Sequence, residues 1–203
     1  MKVICIGRNY LPHIQELGHE VPTEPTFFLK PESSVLVDNQ PFFLPDFSQQ
    51  IEHEVELLVR IDRTGKCIAE SDARNHYHEI GLGIDFTARD LQKKCIEKGN
   101  PWEIAKAFDG SAVISQFIDI KEFESIDNLH FHLDLNGRTV QSGNINEMIF
   151  SFDKIISHVS RFLTLQVGDV IFTGTPKGVG KVAVSDRLEG WIEGRKLLNF
   201  NIK

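Results

Sequence analysis

A ten-residue segment with alternating apolar and acidic residues places the strongest constraint on the fold. Residues 51–60 read IEHEVELLVR, and the apolar side chains at 55, 57 and 59 alternate as on the buried face of a β-strand. Because alternate side chains of a strand point the same way, Glu52, Glu54 and Glu56 share the opposite face, each about 6–7 Å from the next. Like charges that close destabilise one another. The fold therefore has to give this face either solvent or a compensating positive charge.

Two interpretations of the acidic face are open. In the first, the segment is a solvated edge strand, whose charges protect it from aggregation. In the second, the face is part of a cation site, because Asp85 ends another apolar run at 80–84. Carboxylates from two such strands can form an oxygen-only site for a hard divalent cation, Mg²⁺ or Mn²⁺. The two interpretations differ in whether the two strands meet.

The bulk properties of the chain exclude several classes of protein. Its 203 residues, of which 41% are hydrophobic and 25% charged, predict a single globular domain over 1–203. The net charge of -7 gives no indication of a nucleic-acid partner. We expect no membrane span, because no run of about 18 apolar residues occurs, and no signal peptide in MKVICIGRNY. Cys5, Cys67 and Cys95 form no CxxC pair, which predicts a reduced, cytoplasmic protein without a thiolate zinc site.

Local signals predict many short strands and a few helices. We expect a strand at 2–6, a short helix at 11–17 and a strand near Cys67. Thr87-Ala-Arg-Asp90 has the pattern of a capping box, which predicts a helix that Gly99 closes. Asn136-Gly137 predicts a hairpin. Strands outnumber helices and do not alternate regularly with them, so the predicted fold class is α+β, mainly β, with a mixed or antiparallel sheet.

The helix predicted with most support begins after Ser151, a favourable capping residue. Its apolar positions have the spacing of one buried stripe, and they are Phe152, Ile155, Ile156, Val159, Phe162 and Leu163.

Three further patterns are candidates for chemistry. His13 and Glu16 are three residues apart on the short helix, where a carboxylate can orient an imidazole that acts as a general base; a surface pair is the alternative. Lys106 can stabilise an enolate beside a metal site or form an ordinary salt bridge. The loop at 172–180, FTGTPKGVG, lacks the glycine spacing and following helix of a phosphate loop. It is either a plain turn or a close approach of backbone amides and Thr175 to a ligand.

Taken in order, these segments resemble the fumarylacetoacetate hydrolase family. The resemblance spans nearly the whole chain and is closest to the short, single-domain branch, which includes acylpyruvate hydrolases and oxaloacetate decarboxylases. The motifs that carry it are GRNY followed by H-x-x-E, FFLKP, HEVEL, GIDFTARDLQ, GNPW followed by K, and FTGTPKGVG.

The resemblance implies a mixed β-sandwich roll, usually a homodimer, with a Mg²⁺ or Mn²⁺ site. The metal ligands that it implies are Glu54, Glu56 and Asp85. It implies a catalytic His13–Glu16 dyad on a lid over the substrate, with Lys106 also catalytic. The substrate contacts that it implies are Arg89, Gln92, Lys106 and Thr175.

The implied function is metal-dependent cleavage of the C3–C4 bond of a 2-oxo acid through a pyruvate enolate. This covers acylpyruvate hydrolysis, in which His13 and Glu16 activate a water, and oxaloacetate decarboxylation, which needs no water. Oxaloacetate keto–enol tautomerisation and hydration of a 2-oxo-pentenoate remain alternatives. A metal-stabilised β-domain that only binds a partner is the alternative outside enzymes.

Overall fold

The computed structural model describes residues 1–17 and 20–203, without the side chains of His13 and Leu17. Within these residues the chain forms fifteen strands and four α-helices, joined by loops and short 3₁₀ turns. The strands are β1 Val3–Gly7, β2 Thr26–Lys30, β3 Val35–Leu36, β4 Ile51–His53, β5 Val55–Arg60, β6 Glu79–Asp85, β7 Thr87–Ala88, β8 Ala112–Ile114, β9 Ile118–Asp119, β10 His130–Leu135, β11 Arg138–Asn144, β12 Val170–Phe172, β13 Gly180–Lys181, β14 Arg187–Ile192 and β15 Arg195–Asn201. The helices are α1 Leu11–Leu17, α2 Arg89–Lys98, α3 Glu103–Lys106 and α4 Phe152–Ser160.

The largest sheet is mixed and has the order β2-β1-β12-β5-β6-β8-β3, with β9 paired to β6. The pairs β1–β12 and β3–β8 are parallel, whereas β5 runs antiparallel to both β12 and β6. Strand β5 is therefore an interior strand, and the interpretation of the acidic segment as a solvated edge is wrong. The expected mainly β architecture with a mixed sheet is confirmed.

Both faces of β5 are covered by apolar residues. Val55, Leu57 and Val59 belong to the main core, as the alternation predicts. Leu58, on the other face, packs in a smaller cluster with Val3, Cys5 and Phe172 among its members. The face that carries the glutamates is consequently buried, and charge compensation has to come from within the protein.

The acidic segment changes sheets in its middle. Strand β4 pairs with β13 and β7 in a three-stranded sheet, whereas β5 belongs to the large sheet. Glu54 is the single residue between the two strands. The expected continuous strand is thus two strands joined at this carboxylate.

The third sheet is antiparallel, has the order β11-β10-β14-β15, and closes the main core from the other side. Its first hairpin turns at Asn136 and Gly137, both with positive φ, which confirms the predicted turn. Its packing on the large sheet leaves no space at Gly190, where a Cβ atom would lie 2.7 Å from Leu82.

The structure confirms the predicted start of α4 and corrects its predicted end. Ser151 caps α4 by accepting a hydrogen bond from the Lys154 amide, as expected, but the helix ends at Ser160. The apolar stripe therefore stops at Val159, and Phe162, beyond the helix end, is 56% exposed. Leu163, also beyond the helix, is half-buried against the core.

The predicted capping box at 87–90 is wrong, although the helix that it introduced is present as α2. Thr87 lies in β7, and the N-cap residue of α2 is Ala88, whose side chain makes no capping hydrogen bond. The Asp90 carboxylate instead accepts a hydrogen bond from the Ser48 hydroxyl at 2.6 Å, because a loop 42 residues earlier packs there. Gly99 ends the helix with φ 65°, which confirms the predicted end.

The strand expected near Cys67 is also wrong. Cys67 has a positive φ, and its amide donates to the carbonyl of Ser160, the last residue of α4, rather than to a strand. Only an isolated bridge between Gly65 and Leu165 forms in this segment. Among the residues that the structure describes, no helix is long and apolar enough to cross a membrane.

Candidate active site

Three buried carboxylates meet where β5 and β6 lie side by side. Glu54 precedes β5, Glu56 is its second residue, and Asp85 is the last residue of β6. The Asp85 amide donates a hydrogen bond to the Glu54 carbonyl at 2.9 Å, so the pairing itself brings these residues together. One oxygen of each carboxylate lies within 4.8 Å of the others. The two strands do meet, as the cation-site interpretation requires.

Two lysines compensate the charge of this carboxylate cluster. Lys106 Nζ donates to Glu54 Oε2 at 2.8 Å and to Asp85 Oδ2 at 2.9 Å. Lys30 Nζ lies 2.6 Å from Asp85 Oδ1 and donates to the Ser111 carbonyl and hydroxyl at 2.9 and 3.0 Å. Both lysine side chains are almost fully buried. Lys30 is therefore a fixed counter-ion of Asp85, whereas Lys106 bridges two carboxylates.

Arg89 binds the cluster from the other side. Its Nη2 pairs with Glu54, its Nε donates to Glu52 at 2.7 Å, and its Nη1 donates to the side-chain oxygen Oε1 of Gln92 at 2.6 Å. Glu52 also accepts a hydrogen bond from Gln50 at 2.6 Å and lies outside the carboxylate cluster. Three acceptors thus occupy the guanidinium, which fixes Glu54 and Gln92 in place.

The carboxylates of Glu54 and Glu56 experience different electrostatic environments. Burial acts to raise the pKa of Glu54, but Lys106 and Arg89 outweigh it and hold that pKa well below its usual value. Burial raises the pKa of Glu56 well above its usual value, and repulsion from Asp85 and Glu54 raises it further. The one hydrogen bond to the Glu56 carboxylate among the described residues comes from the Gly174 amide, at 2.7 Å. Glu56 is therefore the uncompensated member of the cluster.

The cluster fits a divalent cation on two grounds. It offers oxygen ligands only, which hard cations such as Mg²⁺ and Mn²⁺ prefer. Asp85 Oδ1 is buried and has no aligned hydrogen-bond donor, although Lys30 Nζ is near enough for an ion pair. Together with the uncompensated Glu56, this leaves the cluster able to accept additional positive charge. The residues that would hold the cation are Glu54, Glu56 and Asp85.

The loop at 172–180 is held against the cluster by a buried amide. Gln141 Nε2 donates to the Thr175 hydroxyl and to the Pro176 carbonyl, both at 2.9 Å, while its Oε1 accepts from the Val55 amide at 3.0 Å. The Thr175 hydroxyl donates to the Val55 carbonyl at 2.9 Å, so its own proton is already committed. His53 Nδ1 lies 2.8 Å from Gln141 Oε1, and burial lowers the pKa of His53. The loop therefore lies against the carboxylate cluster, and its contact with a ligand stays a prediction.

A cavity of about 1140 Å³ opens above the cluster. Its polar lining includes Glu16 on α1, whose carboxylate accepts a hydrogen bond from the Gly178 amide at 3.4 Å. Apolar residues, among them Phe28 and Trp102, line the remainder. The side chain of His13 lies outside the described residues, so its part in the dyad stays a prediction.

The cavity collects most of the residues that the sequence singles out as candidates. Its lining contains Glu16, Glu54, Glu56, Asp85, Arg89, Gln92, Lys106 and Thr175. Sequence reasoning missed Lys30 and Gln141. The position of Lys30 at the end of the apolar strand segment TFFLK could have indicated a buried lysine. Because a buried lysine is rarely unpaired, it would also have indicated an acidic partner. Nothing local distinguishes Gln141, whose partners lie more than 30 residues away.

A mainly β fold of curled mixed sheet, with a buried carboxylate cluster at the base of a cavity, defines a class of candidate metal-dependent enzymes. The chain belongs to the fumarylacetoacetate hydrolase family: the model of the fumarylacetoacetate (FAA) hydrolase C-terminal domain matches residues 2–200. The resemblance stated from the motifs is thereby confirmed.

Relatives within this family are similar over nearly their whole length. Mouse oxaloacetate tautomerase FAHD1, mitochondrial, is 39% identical over 99% of this chain and 91% of its own. Oxaloacetate tautomerase YcgM of Escherichia coli is 41% identical over 97% and 90%. The crystal structure of fumarylpyruvate hydrolase from Pseudomonas aeruginosa in complex with Mn²⁺ and pyruvate has a TM-score of 0.94, at 35% identity, and covers 100% of this chain and 89% of that one. These similarities confirm the expected fold type and indicate that the chain is an enzyme of this family.

Proposed function

We propose that this protein is a divalent-metal-dependent enzyme that forms the enol or enolate of a short 2-oxo acid, with oxaloacetate as the first candidate substrate. The observation that carries the proposal is the buried carboxylate cluster with the Lys106 ammonium against it, at the base of the cavity. With a divalent cation held by the carboxylates, such a site would be suited to stabilise negative charge on a small oxyanion. Keto–enol tautomerisation is the leading reaction, because two relatives near 40% identity carry that name.

Glu54, Glu56 and Asp85 are the residues proposed to hold Mg²⁺ or Mn²⁺. When bound, the cation supplies Lewis acidity toward the carboxylate and 2-oxo oxygens of the substrate. The charge of Glu56 would then be compensated, which removes the repulsion described above.

Lys106 is proposed to stabilise the negative charge that develops on the 2-oxo oxygen. Burial acts to lower its pKa, but Asp85 and Glu54 outweigh it and hold that pKa above its usual value, so Lys106 stays charged at neutral pH. A fixed cation serves this purpose better than a proton donor, because the charge need not move during the reaction. Arg89 is proposed to act mainly by fixing Glu54 and Gln92 rather than by direct catalysis.

The dyad of His13 and Glu16 is proposed to move the proton. In tautomerisation the base takes a proton from C3, and a proton is delivered to the 2-oxo oxygen, so that the enol has the same composition as the keto acid. Glu16 lines the cavity, as an orienting carboxylate requires. Thr175 and Gln92 are proposed to contact the substrate, and the Thr175 hydroxyl can do so only as an acceptor, because its proton bonds to Val55.

Cleavage of the C3–C4 bond is the second candidate, as acylpyruvate hydrolysis or oxaloacetate decarboxylation. It passes through the same enolate, and the fumarylpyruvate hydrolase of similar fold supports it. For hydrolysis, His13 would activate a water that attacks the distal carbonyl; decarboxylation releases CO₂ without that water.

A substrate panel tests the proposal. Oxaloacetate, acetylpyruvate, fumarylpyruvate and a 2-oxo-pentenoate are assayed with Mg²⁺ and with Mn²⁺, against Lys106→Met as the matched variant. Enol formation is followed in the ultraviolet, and pyruvate and CO₂ are measured separately. Turnover of any 2-oxo acid that Lys106→Met abolishes supports the enzyme, and the product identifies the reaction. Metal binding without turnover of any of these acids would favour the non-enzymatic β-domain instead.

Three further expectations are proposed alongside this function. The chain would act as one catalytic domain over 1–203, as a homodimer and in a reducing compartment such as the cytoplasm. Light scattering of the purified protein tests the homodimer. The exposed Cys67 and the buried Cys5 and Cys95 are all free thiols, which suits a reducing compartment.

A further inference from the structure

Arg8 has a backbone conformation that its residue type disfavours. Its φ is 61°, in the left-handed region, and no other non-glycine residue with positive φ lines the described part of the cavity. A side chain held in this region is strained, and such strain persists only where the neighbouring structure imposes it.

The residues on either side of Arg8 impose that conformation. Gly7 ends β1 in register with Thr26. The Asn9 side chain is buried, donates to the carbonyls of Phe150 and Thr173 at 3.0 and 2.8 Å, and accepts from the Phe150 amide at 2.7 Å. With both neighbours fixed, the direction of the chain at Arg8 is determined.

The same contacts connect Arg8 to the carboxylate cluster. Gly174, which follows Thr173, packs against Asn9 so closely that a Cβ atom there would lie 2.7 Å from the Asn9 Cβ. The Gly174 amide in turn donates to Glu56 Oε2 at 2.7 Å. Arg8 therefore directly precedes Asn9, which packs against the loop that contacts Glu56 of the proposed metal site. Arg8 also lines the same cavity.

The charges of the site leave a role for one more cationic side chain. With all three carboxylates ionised, as metal ligation requires, they and the two ammonium groups of Lys30 and Lys106 carry one net negative charge, and Arg89 is matched by Glu52. A divalent cation would reverse this to one net positive charge, which balances one substrate carboxylate. A second substrate carboxylate would find no partner there. Arg8 and Lys93 line the cavity without an ion pair to any described residue.

We propose that Arg8 is a specificity-determining residue that binds the distal carboxylate of dianionic 2-oxo acids. This inference rests on the proposed function and names its substrate class: four-carbon or longer 2-oxo acids with a second carboxylate. A guanidinium can bind a carboxylate through two parallel hydrogen bonds, which a lysine cannot do. Arg8 and Lys93 are both exposed, but Lys93 lies on the regular helix α2 and its backbone has no comparable constraint.

The test compares two ligands that differ chiefly in the distal group. Binding of 2-oxoglutarate and of 2-oxohexanoate to the Mn²⁺-loaded protein is measured by calorimetry. The variants are Arg8→Gln, which keeps the backbone cost and removes the charge, Arg8→Lys, which keeps the charge, and Lys93→Gln as the matched control. Thermal unfolding of each variant verifies the fold. The ratio of kcat/KM for oxaloacetate to that for acetylpyruvate gives a second readout.

Arg8→Gln should lower the ratio of dianion to monoanion affinity by about 10–100-fold, the weight of a charged hydrogen-bonded pair. Arg8→Lys should restore part of it, and Lys93→Gln should leave the ratio unchanged. An unchanged ratio in Arg8→Gln, or an equal fall in Lys93→Gln, would overturn the role of Arg8 while leaving the proposed function intact. A wild-type protein that binds neither ligand and turns over no 2-oxo acid would overturn both.

Discussion

Glu54 and Glu56 are two residues apart, yet the same substitution at each should affect the metal-free protein differently. Glu54→Gln removes a charge that lies between Lys106 and Arg89. Losing one partner of a buried ion pair costs about 3–5 kcal/mol. Because Lys106 keeps Asp85 and Arg89 keeps Glu52, we expect a smaller loss, about 2–3 kcal/mol, in the free energy of unfolding.

Glu56→Gln removes a charge that no described cation contacts. The amide oxygen of Gln can still accept the Gly174 hydrogen bond, and the repulsion from Asp85 and Glu54 disappears. We therefore expect a change of about 1 kcal/mol or less in unfolding free energy. In a protein of this size the melting temperature should fall by about 5–10 °C for Glu54→Gln and hardly change for Glu56→Gln.

Both variants should bind Mn²⁺ more weakly, by about 1–3 kcal/mol, since each loses one anionic ligand. Urea denaturation in EDTA at pH 7 measures the first effect and calorimetric titration with Mn²⁺ the second. Equal destabilisation of the two variants in EDTA would contradict the different compensation of the two carboxylates. Wild-type Mn²⁺ affinity in both variants would refute their assignment as ligands.

Four further predictions concern the metal, pH, the dyad and the fold. EDTA should abolish turnover and Mn²⁺ or Mg²⁺ should restore it; full activity in a sample shown to be metal-free by elemental analysis would contradict this. The raised pKa of Glu56 means that the native state holds this proton more tightly than the unfolded chain does. In EDTA, the unfolding free energy of the wild type should therefore fall, relative to Glu56→Gln, as pH rises from the usual glutamate range through that raised pKa; parallel pH profiles in urea denaturation would disprove it. His13→Ala should lower kcat/KM for acylpyruvate hydrolysis by about 10²–10⁴-fold and oxaloacetate decarboxylation less, with unchanged Mn²⁺ affinity; equal losses would limit His13 to shaping the site. Gln141→Leu should cost about 2–4 kcal/mol of unfolding free energy, because the Val55 amide and the Pro176 carbonyl lose their partner, and a wild-type urea midpoint would argue against this.

The sequence predicts the parts of the site that depend on local period. Alternation along 51–60 identifies Glu54 and Glu56 as neighbours on one face, and the apolar run before Asp85 identifies a strand that ends in a carboxylate. The Asn136-Gly137 turn and the Ser151 cap are likewise local, and the structure confirms both. Each of these features needs only a few consecutive residues.

What the sequence does not predict depends on distant partners. The partners of Lys30 are Asp85 and Ser111, 55 and 81 residues along the chain, so its apolar sequence neighbours can indicate burial but not the groups that it contacts. The alternation also continues through Glu54 without interruption, because both halves of the segment are strands. Only the pairing of each half with different strands shows that the sheet changes there.

The change of sheet at Glu54 makes the length of the segment matter as much as its composition. Strand β4 has its register fixed by β13 and β7, and β5 has its own fixed by β12 and β6. If one residue were inserted or deleted at the junction and both pairings were kept, Glu54 would move out of the cluster. The alternative is that one strand slips by a residue, which turns every side chain of that strand to the other face. Within this family, therefore, natural variation and protein engineering should tolerate many substitutions in 51–60 but no change in its length.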